Sequence, residues 1–344
     1  MLRFPMKSLR VAVLLVTSLA IQARPGVLRA QGTPQSVYVT LADSVPGALD
    51  DIVAALRAGF TGAGWEVLAA YEGGAGRGCT FGSRILALHS PRYARAVLAH
   101  GPRAAFALPL RLAVFQDEAG THVAMVNPHS INRTIIAEQG FGGESEAVLQ
   151  EVTGIVGRAV HGTPSHRQYG QVRRRGLIGR TMGIMAGGPF PDKIETVYAV
   201  TSSAPDDLSR VADRVWTALQ AGGRGRWQAR GAYRLDLLDQ GVVVLGVSGA
   251  AMESRAFQIV GAGSDDSRES YRCPGIAYGP AFPVEVVVMR DSGTVRVTLV
   301  DEMYRMKLYF EDAGKMKFAA NMTMPGSIED EIRGLIGQGG DTRR

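Results

Sequence analysis

ALPLRLAVFQDEAGTHVAMVN, residues 107–127, decides the fold, because it returns as AFPVEVVVMRDSGTVRVTLV at residues 281–300. Each reads as a proline-led strand, a polar turn and a second strand. The turns are DEAG in one and Asp291, Ser292 and Gly293 in the other. In TVRVTLV, Val295, Val297 and Leu299 share one face while Arg296 and Thr298 take the other, the period-two pattern of a half-buried antiparallel strand.

Upstream of the hairpins, VYVTLADSVPGALDDIVAALRAGFTGAGWEVLAAY from Val37 is echoed from Val197 by VYAVTSSAPDDLSRVADRVWTALQAGGRGRWQARGAY. Long internal similarity points to two copies of one module. Leu49, Ile52, Val53 and Leu56 form a helical stripe, repeated as Leu208, Val211, Val215 and Leu219. Short strands are predicted at 65–71 and 84–89. A closing helix is predicted at 144–156 and again at 327–336, with Ser327 followed by Asp330 resembling an N-cap. The expected fold is α+β: two similar two-layer domains, each an antiparallel sheet packed on helices, related by internal duplication. The expected division is a first domain at 35–160, a linker at 161–192 and a second domain at 193–337. The offset between matched positions widens from 160 (Val37 to Val197) to 174 (Pro109 to Pro283), which places an insertion at 261–278. That insertion carries Tyr271 and Tyr278, candidate ligand contacts on a loop grafted to a constant scaffold.

Arg3, Lys7 and Arg10 precede the apolar run Val11–Ala20, and small residues follow at Ala20, Ala23 and Ala30. This is the layout of a secretory signal peptide, assigned to 1–30, so a periplasmic or secreted product with no membrane span after cleavage is expected, its N-terminus between Ile21 and Gly32. The formal charge of +6 includes five basic residues in that segment, which leaves +1 after cleavage. Arg173, Arg174, Arg175 and Arg180 lack interleaved aromatics, so a solvated linker is expected and no nucleic-acid partner.

RILALHSPRYARAVLAHGPRAAFALPLRLAVFQDEAGTHVAMVNP, residues 84–128, resembles the domain-of-unknown-function 302 family. That family runs from a strand ending in Cys-Asn-Pro, through a short helix, to a Leu-Pro turn and a hairpin followed by Asp-Pro. Where the family has Cys-Asn-Pro, this chain has His89, Ser90 and Pro91, and the second copy is read as Val247, Ser248 and Gly249. The position after the turn proline, often a second Cys in the family, is Leu110 here and Val284 in the repeat. The resemblance implies a compact α+β fold and no established activity; any thiol chemistry of the family does not carry over.

No catalytic set, metal site or cofactor is read from the residues. Ser248 follows a strand as a nucleophile elbow would, but no histidine lies beyond His166 to serve it. EGGAGRGCTFG from Glu72 leads into a strand rather than the helix a phosphate loop requires. His122 and His129 are seven apart on what reads as one extended segment, hence on opposite faces. Nine of the twelve methionines lie from Met182 onward. Thioethers suit Cu(I), yet Met303 and Met306 are placed on opposite faces of an expected strand. Cys79 and Cys273 permit a disulfide, although two free thiols are favoured because nothing in the sequence brings their loops together. The expected function is binding of a small molecule or protein partner, through His89, Arg111, Tyr271, Tyr278 and Glu285. The alternatives are an enzyme with a polar site of His89 with Arg111 or Glu285, and a periplasmic copper-binding accessory protein.

Overall fold

The alternation of the first hairpin becomes β4 (Leu110–Asp117) and β5 (Gly120–Val126), and that of the second becomes β11 (Val284–Asp291) and β12 (Thr294–Val300). The computed structural model describes residues 35–76, 78–136, 139–173, 188–201, 204, 206–260, 272–310 and 319–340. The expected signal segment, Tyr271, most of the 261–278 insertion and the arginines from Arg174 to Arg180 lie outside them. Both turns close locally: Asp117 Oδ1 accepts from the Ala119 N–H at 2.8 Å, and Ser292 and Gly293 both adopt positive φ, at 49° and 76°.

Around the first hairpin lies a sheet in the order β2 (Glu66–Glu72), β3 (Ser83–His89), β4, β5, β1 (Gln35–Asp43). The second sheet has the order β9 (Arg230–Leu237), β10 (Val242–Ser248), β11, β12, β8 (Ile194–Thr201). All ladders are antiparallel. The first sheet gains two further strands on β1, β6 (Thr163–Pro164) and β7 (Gln168–Arg173), so the start of the segment read as a linker is part of the sheet.

Helix α1 (Leu49–Gly62) buries Ile52, Val53, Leu56 and Phe60, and the corresponding helix of the second half, α5, buries Leu208, Val211, Val215 and Leu219 over Asp207–Ala221. Full burial of each such side chain stabilises by about 1.5–3 kcal/mol, so these stripes hold the helices on their sheets. Between α1 and α5 in chain order come α2 (Pro91–Leu98), α3 (Pro128–Ile135) and α4 (Gly142–Ala159). After α5 come α6 (Ala250–Val260), α7 (Glu302–Phe310) and α8 (Thr323–Gly340). No helix among the described residues is long and apolar enough to cross a membrane.

Three local readings are corrected. Met303 and Met306 lie on helix α7, where a spacing of three shares a face; its start is capped by Asp301, whose Oδ1 accepts from the Tyr304 N–H at 2.7 Å. Ser327 is inside α8 rather than at its cap, with its hydroxyl on the Met324 carbonyl at 3.2 Å. His129 is on α3, which Asn127 caps by accepting the His129 N–H at 3.0 Å, so His122 and His129 do not share a strand.

Register also differs from the sequence match at two places. Asn127 and Asp301 each follow a hairpin, and their N–H groups bond Val37 and Lys193 respectively, so the second strand sits four residues upstream of the Val37-to-Val197 correspondence. Likewise Leu88 pairs Leu110 where Val247 pairs Val284, which puts Ser248, not Val247, at the place of His89.

All described residues fall in one compact unit, Thr33–Arg344. The halves meet reciprocally: the 3₁₀ turn Pro102–Ala107 lies on β11, the 3₁₀ turn Pro274–Ala281 lies on β4, and β2 lies against β9. Cys79, in the β2–β3 loop, is disulfide-bonded to Cys273, with the two Cα atoms 5.7 Å apart. The expectation of two free thiols is thereby corrected. The reason is tertiary: the glycine loop is laid on α6, with Ser254 Oγ donating to the Ala75 carbonyl at 2.5 Å and no room for a Cβ on Gly74, which would stand 2.7 Å from Glu253 Cβ.

Replacing Cys79 and Cys273 together by serine should lower the unfolding free energy by about 2–5 kcal/mol, because the bridge closes a long loop in the unfolded chain. Denaturant titration of the two proteins under non-reducing conditions measures the difference.

Candidate functional site

Arg111 and Glu285 each stand two residues past the proline that opens a hairpin, on β4 and β11, each the middle strand of its run of five. Reciprocal packing brings them together as an ion pair at 4% and 5% side-chain exposure. Arg111 also donates to the Pro283 carbonyl at 3.3 Å and to the Tyr309 hydroxyl at 2.5 Å, and its guanidinium lies 4.9 Å from the Tyr309 ring centre.

Helix α7 supplies the rest of the cluster. Arg305 approaches Glu285 at 3.6 Å and Glu302 at 3.4 Å, bonds the carbonyls of Ala281 and Pro283, and lies 5.0 Å from the centre of the Tyr309 ring. Tyr38 of β1 donates to the Tyr309 carbonyl at 3.0 Å. Lys307 is buried on the same helix. Burial raises the Glu302 carboxyl to about 7, opposed by Arg305 and reinforced by Glu329. Charges withdrawn from water are tolerated where they are paired: Glu285 lies between the guanidinium groups of Arg111 and Arg305, which also bond backbone carbonyls.

A second polar cluster joins the halves near the disulfide. Glu253 of α6 accepts from the Gly74 N–H at 2.5 Å, from the Tyr71 hydroxyl at 3.2 Å and from the Ser248 hydroxyl. Burial raises its carboxyl to about 7 against the lowering effect of those three donors. Ser248 is thus engaged by a carboxylate five residues ahead, a partner that a search for a later histidine overlooks.

At the far end of the first hairpin, His122 is buried between two acids, Nδ1 at 2.5 Å from Asp43 and Nε2 at 2.9 Å from Asp117. Burial works against its protonated form, but the bonds and charges of Asp117 and Asp43 prevail and its pKa is raised. Among the described residues no group of three or more His, Cys, Asp and Glu side chains has a geometry that could hold a metal ion.

Of the residues singled out from the sequence, Arg111 and Glu285 are brought together. His89 is not part of their ion-pair cluster: it ends β3 opposite Glu66, nearly buried, with Nδ1 lacking a hydrogen-bond partner and its pKa lowered chiefly by burial. Tyr278 is interior, its ring packed on Tyr38 at 5.2 Å, Tyr169 at 5.8 Å and Phe310 at 6.2 Å. Tyr271 lies outside the described residues. Arg305, Glu302, Tyr309, Glu253 and Tyr71 were missed; the signal available was charge inside otherwise apolar segments, EMYRMKLYF and AAMESRAF. A cavity of about 10 Å³ beside Arg111, lined also by Tyr93, Phe106, Pro109 and Asn132, has room for no more than a water molecule.

Residues 42–159 match the family model described as Domain of unknown function DUF302, which covers most of the first sheet and its helices. Among solved structures, the chain is similar to one titled "Crystal structure of uncharacterized conserved protein DUF302 from Bacillus stearothermophilus". The two are 16% identical over 36% of this chain and 98% of that one, with a TM-score of 0.31. No curated protein matches the chain.

The pKa shifts set a pH profile. Glu253 and Glu302 bind a proton more tightly folded, at about 7, than at their ordinary 4.5, and His122 is likewise raised above 6.5. A raised folded value contributes stability that is complete below the unfolded pKa and lost as pH rises through the folded one. The thermal midpoint should therefore fall as pH rises from about 4.5 to about 7, and further as His122 deprotonates. Glu253→Gln, which cannot ionise, should flatten the first part of that slope. A midpoint that rises over the interval in both proteins contradicts the assignment.

Proposed function

We propose that the protein is exported to the periplasm or beyond and acts as a non-catalytic binding protein, built from two family-302-like domains that arose by duplication. The observation that carries this reading is the reciprocal junction, in which the same turn of each half lies on the central hairpin of the other and sets Arg111 against Glu285. The common strand order and the two prolines opening the hairpins support a second copy of the module, although the family match itself covers only the first. The Cys79–Cys273 bridge supports export, because disulfides persist in oxidising compartments, and it agrees with the basic-then-apolar first residues. The polar side chains that could have formed a reactive site hold the halves together, and this reading assigns contacts to a small molecule or protein partner to the outer surface.

Native mass spectrometry of the protein taken from its exported compartment tests all parts. A soluble chain beginning between Ile21 and Gly32, with a co-purifying organic molecule or protein, is expected. Full-length chain in a membrane fraction contradicts export. A processed chain carrying nothing contradicts the binding role, and bound copper replaces it with the metal-handling reading.

A further inference from the structure

His122 is placed so that both of its ring nitrogens have to donate. Nδ1 faces Asp43 and Nε2 faces Asp117, and an ionised carboxylate only accepts, so both contacts are hydrogen bonds when the imidazole carries two protons. A neutral imidazole donates from one nitrogen, and the lone pair of the other then points at a carboxylate oxygen. The two acids differ in how they can answer that. Asp117 has 1% of its side chain exposed and also accepts the Ala119 N–H, so the remaining proton stays on the nitrogen facing it. Asp43 is 26% exposed and can turn towards water.

Asp43 is also what the segment covering the end of β1 holds on to. The Oδ1 that faces His122 takes a bond from Arg167 at 3.1 Å, and the Ser165 hydroxyl is a further partner of the carboxylate. Two backbone bonds complete the attachment: the Ser165 N–H donates to the Leu41 carbonyl at 3.1 Å, and the Thr40 N–H to the Arg167 carbonyl at 2.9 Å. The charged groups acting on the imidazole are thus Asp43 from β1 and Asp117 from the end of β4, with Arg167 of the covering segment acting through Asp43; the uncharged Phe115 ring lies 5.2 Å away. His161 and His166, on or beside the segment, are exposed. The second half fills the same place differently. Arg296 stands where His122 does, opposite Ala199 rather than an acid, and among the described residues no strand covers β8.

We propose that His122 is a proton-controlled latch: with two protons on its ring it holds Asp43, and through Asp43 the segment 163–167, on the first sheet, and loss of one proton releases that segment while the cores of both halves stay folded. Release frees the Leu41 carbonyl and the Thr40 N–H on the outer edge of β1 and loosens the start of the connection between the halves. The direction follows from linkage. The closed form binds the second proton more tightly than the open form, in which the imidazole has its ordinary value of 6.5, so opening is suppressed below that pH and grows above it until the closed form has lost its proton as well.

The test follows amide hydrogen exchange and the ring-nitrogen shifts of His122 by NMR on the disulfide-intact protein, between about pH 5 and about pH 9. Corrected for the intrinsic exchange rate, protection of the Ser165 and Thr40 amides should fall about tenfold per pH unit above the ordinary imidazole value and level off where the His122 ring has lost one proton. The amides of Val243 and Val244 in β10 should stay protected throughout. In an Asp43→Asn variant the side-chain amide can donate to the bare Nδ1, so the pH dependence of the segment should vanish. Unchanged protection of the segment across the range overturns the proposal, whether or not His122 titrates. So does a pH dependence that persists in the Asp43→Asn protein, and so does loss of protection in β10 together with the segment, which would make the opening global.

Discussion

Burying Arg111 against Glu285 is the constraint on which the arrangement of the two sheets depends. Each residue sits on a central strand of its own sheet, so neither charge can return to water without separating the halves. A buried pair contributes little beyond what two apolar side chains of equal volume would, but the loss of one member leaves an uncompensated charge and costs about 3–5 kcal/mol. The junction therefore specifies one way of docking rather than adding much to overall stability. Arg305 extends the same logic to α7, tying Glu285 and Glu302 to the carbonyls of Ala281 and Pro283.

This assignment of charged residues shapes what the molecule can do. Arg111 and Glu285, natural candidates for holding an anion or activating water, are committed to each other; Ser248 and Tyr71 are committed to Glu253. The bridge between Cys79 and Cys273 closes the remaining side of the junction, next to an outer tie in which Arg272 pairs with Glu118 at 3.3 Å and lies 5.0 Å from the centre of the Phe81 ring.

Much of the fold was legible because its signals are local. The hairpins and the α1 and α5 stripes follow from periods of two and 3.6, and the family resemblance read at residues 84–128 falls within the matched span 42–159. The register of β8 was not legible: two Val-Tyr pairs align in sequence, yet hydrogen bonding sets Lys193 where Val37 stands, because hairpin geometry rather than side-chain identity fixes register. Helix α7 was read as a strand because EMYRMKLYF is apolar and aromatic; its one clear helix signal was Asp301 at the cap. Arg111 and Glu285 were legible as individual candidates from their shared position past the turn proline. Their pairing was not, nor was that of the cysteines, because both depend on how the halves dock.

A double-mutant cycle on Arg111→Leu and Glu285→Leu tests the central claim most directly. With the pair as the junction's organising contact, each single substitution should lower the unfolding free energy by about 3–5 kcal/mol, and the double should lose less than the sum by at least about 1 kcal/mol. Single losses below about 1 kcal/mol, or effects that add within about 0.5 kcal/mol, would contradict it.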